Sequence, residues 1–247
     1  MNQVLLQSFC RRRIMSTRLM KCLLIGILLV AVPAAFAEPI IVNPDFDDVL
    51  ISCPLNFAYQ GTGGCGNWAQ DFNSAPGFGW TLSTTHDQDW FGPGLTGPNT
   101  NFNPPPFDGL PFTQAVLLQS GNGIISSVSQ DINGFSPGTY TVSFYLGSRY
   151  SGGDDGNQTV EALIDGSVIG TWVLTSFTPF TLQSASFTVD TGGDHTLEFI
   201  GINDSGDHTA FLSGLSIGEG IPEPSSLVLL GTGLIGIMAA ARRRLNR

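Results

Sequence analysis

Two oxygen-rich stretches, Asp154-Asp155-Gly156-Asn157 and Asn203-Asp204-Ser205-Gly206-Asp207, offer carboxylates and amides of the kind a hard cation takes. Calcium wants about six to eight oxygens. Neither stretch has EF-hand spacing, and Asp, Asn and Gly favour turns for backbone reasons of their own. The three histidines, His86, His195 and His208, have no ligand spacing. Gly214-Leu215-Ser216-Ile217-Gly218 has the spacing of a nucleophile elbow. An elbow, however, needs a following helix and a later histidine, and no histidine follows His208. Asp87-Gln88-Asp89 reads as a solvated turn. Among 20 acids no pair is marked as buried, so glycoside hydrolysis has no assigned acid and base. The chain is expected not to be an enzyme.

Aromatic residues are the better clue to a ligand. Trp90-Phe91-Gly92-Pro93-Gly94 and Arg149-Tyr150-Ser151-Gly152-Gly153 read as loops, whereas Trp80 and Trp172 are expected in the core. Sugar rings present apolar faces that stack on such side chains. Trp90, Arg149 and Tyr150 are therefore the candidate ligand-binding residues, with loop packing as the competing use of Trp90 and Tyr150.

Charge placement narrows the partner. Between residues 38 and 224 Arg149 is the only base against all 20 acids, so this region carries 1 − 20 = −19. Such a surface repels phosphate backbones, which excludes nucleic acid. Neutral glycans and divalent cations remain.

The chain ends read as addresses. A basic region ends at Lys21, an apolar run covers 22–32, and Ala35-Phe36-Ala37 offers small residues before Glu38. This pattern predicts a signal peptide over 1–37, cleaved before Glu38, with Ala35 and Ala37 as the small residues of the cleavage site. At the other end Pro222-Glu223-Pro224 leads into an uncharged run and then Arg242-Arg243-Arg244. The run 225–241 would cover roughly 25 Å as a helix, close to a ~30 Å hydrocarbon core. It predicts one transmembrane helix with its arginines cytoplasmic and the acidic body outside. The order of triplet, short apolar helix and arginine cluster resembles the PEP-CTERM sorting tail of Gram-negative bacteria, also catalogued as the ice-binding-protein C-terminal domain. The resemblance implies that an exosortase, a membrane cysteine transpeptidase, recognises Pro222, Glu223 and Pro224 and releases or re-attaches the body.

The elements that must position any site are strands. After removal of the signal peptide only Cys53 and Cys65 remain, and an exported, oxidising compartment predicts a disulfide between them. Residues 43–114 read as irregular, with a long surface loop over 99–111. Short strands are expected over 115–119, 123–132, 139–148, 158–164, 167–174, 180–189, 195–202 and 210–217, with early ones at 40–42 and 79–83. Alternation is clearest in Tyr140, Val142, Phe144 and Leu146. Asp165-Gly166 signals a type I′ hairpin. No segment of the body sustains a helical period, so the fold class is all-β, a jelly-roll β-sandwich.

Asn43-Pro44-Asp45-Phe46-Asp47, Gly79-Trp80-Thr81, the strand 137–144, Asn157-Gln158-Thr159-Val160 and Asp207-His208-Thr209-Ala210-Phe211-Leu212 resemble galactose-binding-like jelly rolls. Many such modules bind carbohydrate, and many hold a structural calcium between the opening and closing strands. The resemblance puts Asp47 at the first acidic ligand of that calcium, and Ser213 where relatives often have Asp. The candidate metal residues are Asp47, Asp154 and Asp155, and a structural calcium is the one cofactor considered. The expected organisation is signal peptide 1–37, galactose-binding-like sandwich 38–219 and sorting tail 220–247. The chain reads as an exported protein that passes through the inner membrane to the cell surface or extracellular matrix, non-catalytic and associated with exopolysaccharide or another glycan. The alternatives are a secreted polysaccharide-active hydrolase and a structural biofilm or surface-layer component with no small ligand.

Overall fold

The computed structural model describes residues 38–61, 65, 69–85, 92–149, 157–203, 206–220, 231, 233–238, 242 and 244. The expected signal peptide, with Ala35 and Ala37, lies outside them. Among the described residues twelve strands form two sheets. They are β1 (Phe57–Gln60), β2 (Ala69–Gln70), β3 (Thr81–Thr84), β4 (Pro93–Thr96), β5 (Ala115–Ser120) and β6 (Ser126–Phe135), then β7 (Gly138–Ser148), β8 (Gln158–Ile164), β9 (Ser167–Leu174), β10 (Thr181–Val189), β11 (Gly193–Gly201) and β12 (His208–Glu219). One sheet runs β10-β7-β12-β5-β4-β1-β2, the other β3-β6-β11-β8-β9. The chain crosses repeatedly between the layers, as a jelly roll does.

The alternation in β7 decides its orientation. Tyr140, Val142, Phe144 and Leu146 are buried, whereas Thr139 is exposed and Thr141, Ser143 and Tyr145 are only partly covered. Between the layers, Phe144 meets Trp172 edge-on at 5.0 Å and Phe199 at 4.8 Å. Trp80 is buried as expected, against Phe46. Trp172 is only half-buried, its ring lying over Gly170 two residues back on the same strand face. Cys53 and Cys65 are disulfide-bonded.

Three expectations need correction. Residues 40–42 are not a strand, because the side chain of Gln130 takes the place of a partner strand. Its Oε1 accepts from Val42 N–H at 2.8 Å and its Nε2 donates to Val42 C=O at 2.9 Å. The irregular first half contains β1, β2 and β4, which sequence pattern missed. β4 starts with Pro93 and contains Gly94, residues that normally mark loops, yet a Cβ on Gly94 would lie 2.2 Å from the Ala58 carbonyl oxygen. Finally, 99–111 is a loop with 99, 101, 106, 108, 109 and 111 exposed, as expected, but it is not surface throughout. Phe102, Pro104 and Pro105 are buried, and Phe102 packs edge-on to Phe57 at 4.8 Å and Tyr59 at 5.5 Å. The segment covers the outer face of the larger sheet, in a second apolar cluster with Leu117 and Phe211.

The β8–β9 hairpin turns at Asp165 and Gly166, with φ of 49° and 75°, the two left-handed residues a type I′ turn requires. Asp165 Oδ2 lies 2.6 Å from His195 Nδ1, and His195 Nε2 lies 2.9 Å from Thr191 C=O. A neutral imidazole can donate to only one of two acceptors, so this geometry selects the imidazolium. The Asp165 carboxylate accordingly holds the His195 pKa above its usual value, and His195 holds that of Asp165 below the usual carboxylate range. The pair's contribution is complete below the unfolded histidine pKa of about 6.5 and fades as pH rises through the raised folded value. It also fades as pH falls through the depressed pKa of Asp165. The melting-temperature gap between wild type and His195→Gln is therefore expected to be largest between about pH 4 and 6.5 and to shrink toward pH 9. A gap that is flat over this range would remove the pair from the account.

Candidate functional site

β5, β7 and β12 lie side by side, and their register brings three polar strand ends together. His208 pairs with Ser120, Ala210 pairs with Ser148, and Arg149 N–H donates to Thr209 C=O at 3.1 Å. At this end Arg149 Nη1 donates to Asp207 Oδ2 at 2.8 Å and its Nε to Phe102 C=O at 3.3 Å, with the guanidinium 5.0 Å from the centre of the Phe102 ring. Gln119 Nε2 donates to Asp207 Oδ1 at 2.6 Å, and Tyr59 O–H donates to Gln119 Oε1 at 2.8 Å. Burial, followed by the Asp207 carboxylate, pushes the Tyr59 phenol pKa upward. Arg149 falls just past the end of β7, a loop position as expected, but it is not open to a ligand. It is 6% exposed, beneath the covering segment, and its named donors turn inward. Asp207, by contrast, keeps 39% of its side chain exposed.

Trp90, Tyr150, Asp154 and Asp155 lie outside the described residues. The connection that holds Trp90 enters β4 at Pro93, paired with Leu118, and the one that holds Tyr150 leaves β7 at Arg149. Both therefore join the sandwich at this same end.

A residue that sequence reading passed over belongs here as well. Phe177, between β9 and β10, has φ of +66° and is 54% exposed. Its N–H donates to Arg149 C=O at 3.1 Å. The turn is fastened to β7, since Thr178 N–H donates to Ser148 Oγ at 2.8 Å and Ser148 Oγ–H donates to Thr175 C=O at 2.7 Å. A left-handed conformation is unusual for a bulky side chain and costs roughly 1 kcal/mol or more. An aromatic inside a Thr-Ser-Phe-Thr-Pro turn was the available signal in the sequence.

Asp47 lies elsewhere. Its Oδ2 accepts from Thr113 N–H and Oγ1–H, both at 3.0 Å, and its Oδ1 is buried without a hydrogen-bond partner. Nearby, Ser213 O–H is shared between Gln114 C=O at 2.8 Å and Asp45 C=O at 3.2 Å. This cluster is at the start of β5, whereas the connection holding 154 and 155 opens at its far end. The length of β5 separates them by roughly 20 Å. Among the described residues no group of three or more His, Cys, Asp or Glu side chains is placed to hold a metal ion. Asp47 Oδ1 is thus a buried oxygen without a hydrogen-bond partner, on a carboxylate held by Thr113, the residue before Gln114.

After β12, Gly220 N–H donates to Thr139 C=O at 2.7 Å. Pro222, Glu223, Pro224 and Arg243 lie outside the described residues. Gly231, 233–238, Arg242 and Arg244 are helical, with Leu234, Ile235, Ile237 and Met238 exposed. Among the described residues no helix is long and apolar enough to cross a membrane. Residues 220–244 match the PEP-CTERM protein-sorting motif.

A PEP-CTERM tail marks an exported, exosortase-sorted chain, in agreement with the resemblance read from the triplet and arginine cluster. No curated protein sequence matches the chain. Solved structures similar to the body that the tail carries include a family 35 carbohydrate binding module from Clostridium thermocellum, with 13% identity over 56% of this chain and 92% of that one at a TM-score of 0.36. TmCBM61, solved in complex with β-1,4-galactotriose, has 12% identity over 57% and 88% at 0.37. The K1 cleaved adhesin domain of Lys-gingipain from Porphyromonas gingivalis W83 has 8% identity over 62% and 97% at 0.43.

Proposed function

We propose that this chain is a non-catalytic, exosortase-sorted surface or extracellular-matrix protein whose sandwich binds exopolysaccharide or another glycan at the end that carries Phe177, Arg149 and Asp207. The observation that carries the reading is Phe177. It stands 54% exposed at this end of the sandwich, on a turn held in a left-handed conformation and fastened to Arg149 and Ser148. An exposed, strained aromatic beside a half-exposed carboxylate suits stacking on the apolar face of a sugar, with the carboxylate accepting from a hydroxyl. Trp90 and Tyr150 belong to connections that open beside it. Arg149 acts through Asp207, by fixing the carboxylate, and not by touching the ligand itself. The net charge of the region favours a neutral glycan over an anionic one.

A structural calcium is part of the proposal. Asp47, the carbonyls of Asp45 and Gln114 and the Ser213 hydroxyl are the groups that would hold it, and the ion would supply the counter-charge that Asp47 Oδ1 lacks.

The test uses residues 38–220, which enclose both sheets and the disulfide. Retention on host exopolysaccharide is expected, and Phe177→Ala should weaken it by about tenfold. Phe177→Gly should weaken it equally while raising the melting temperature by about 3 °C, because glycine adopts a positive φ without strain. A gain in stability with unchanged retention would break the link between ring and ligand. Chelator should lower the melting temperature, and Asp47→Asn should erase that response. Release of reducing sugar ends would replace the reading with the hydrolase alternative.

A further inference from the structure

β10 is the open edge of the seven-stranded sheet. It pairs on one side with β7, from Thr181 opposite Leu146 to Val189 opposite Gly138, without a bulge. Among the described residues no strand pairs with its other side, which runs over nine residues. The opposite edge of the sheet, β2, is only two residues long. Natural edges of this length are usually guarded by lysine, proline or a bulge. β10 contains no charge, no proline and no glycine. β9, the edge of the five-stranded sheet, adjoins it, and the two line a common cleft through Val168, Ile169, Ser186 and Thr188. No charged residue occurs between Asp165 and Asp190, the stretch that holds both edges. Leu182 is 62% exposed and Val168 53%.

We propose that this edge pairs with the same edge of a second copy, β10 antiparallel to β10. The charge distribution argues for that occupant. Two bodies this acidic repel each other over most approaches, and the uncharged side formed by β9 and β10 is where they can meet. The outer face of β10 is also complementary to itself. It already joins β7 through hydroxyls, Ser186 to Thr141 at 2.9 Å and Thr188 to Thr139 at 3.4 Å. A two-fold axis at Ala185 sets Ser184 against the second copy's Ser186 and Leu182 against its Thr188, repeating that chemistry with no like charges opposed. The larger sheets of the two copies then run on as one. The proposal does not depend on glycan binding, and either can fail alone.

The experiment takes the full chain, disulfide intact, in detergent, and measures protein mass by sedimentation velocity from micromolar to near-millimolar concentration. A monomer–dimer equilibrium is expected that tightens as salt rises, because salt screens repulsion between the bodies. Hydrogen exchange of the amides in 181–189 should slow as the dimer forms. Ser184→Glu with Ser186→Glu opposes carboxylates across the seam and should weaken association by about a hundredfold. Ser216→Glu, on β12 inside the sheet, adds charge away from the seam and should leave it intact. A chain monomeric throughout, a dimer indifferent to the double substitution, or unchanged exchange in 181–189 would each overturn the proposal. The exchange measurement needs no variant, so a misfolded mutant cannot shelter it.

Discussion

Arg149→Ala is expected to lower the melting temperature by about 8 °C, from a loss of about 3 kcal/mol in a body of this size. The substitution removes a buried guanidinium that binds Asp207, donates to Phe102 C=O and lies against the Phe102 ring. The loss belongs at the low end of the range for a broken buried pair, because Asp207 is 39% exposed and water can take up part of the demand. Arg149→Met keeps most of the apolar stem and isolates the charge. If the charge pair dominates, adding Asp207→Asn to Arg149→Met should recover stability. Calorimetry on these variants decides the matter, and an Arg149→Ala protein melting within about 2 °C of wild type would show the network to be idle.

Phe144→Ala should cost more, about 4 kcal/mol and about 12 °C. Phe144 is fully buried between the two sheets, edge-on to Trp172 and Phe199, so truncation opens a cavity lined by side chains of both layers. Phe144→Leu retains most of the volume and should lose less than half as much. Denaturant midpoints should fall with an unchanged slope, because the surface exposed on unfolding stays nearly the same. A loss under about 1 kcal/mol would mean that the layers close over the vacancy.

Most strands of the second half were legible because they bury a single face, although β12 is buried on both faces from His208 to Ser213. β8 and β9 match the expected bounds at both ends, since Asp165-Gly166 fixes the turn and with it the register. β4 and β5 are buried on both faces, so alternation carries no information there; β5 was expected all the same, over 115–119, whereas β4 was missed behind its Pro and Gly. The cover that buries them, 99–111, reads as loop from its prolines, and its packing depends on a sheet surface that no local pattern describes. Gln130 is another such case, a polar residue in β6 that replaces a strand for Val42. The candidate site was legible in part. Aromatic loops around Arg149 were singled out, but the burial of Arg149 follows from Phe102, 47 residues away in sequence. Phe177 was missed because strain is a property of backbone angle, which composition does not record.

The hydrogen bond from Gly220 to Thr139 leaves the sorting tail almost no slack. Only Ile221 separates that anchored glycine from Pro222, a reach of at most about 7 Å. An enzyme that grips the triplet must therefore work with the folded body pressed against it, on the side of the 136–138 and 190–192 turns. β12 is twelve residues long and runs from Asp207 to this exit, so Phe177 and its neighbours lie at the other end of the strand, roughly 40 Å from it. The candidate glycan-binding end and the start of the sorting tail thus occupy opposite ends of one strand.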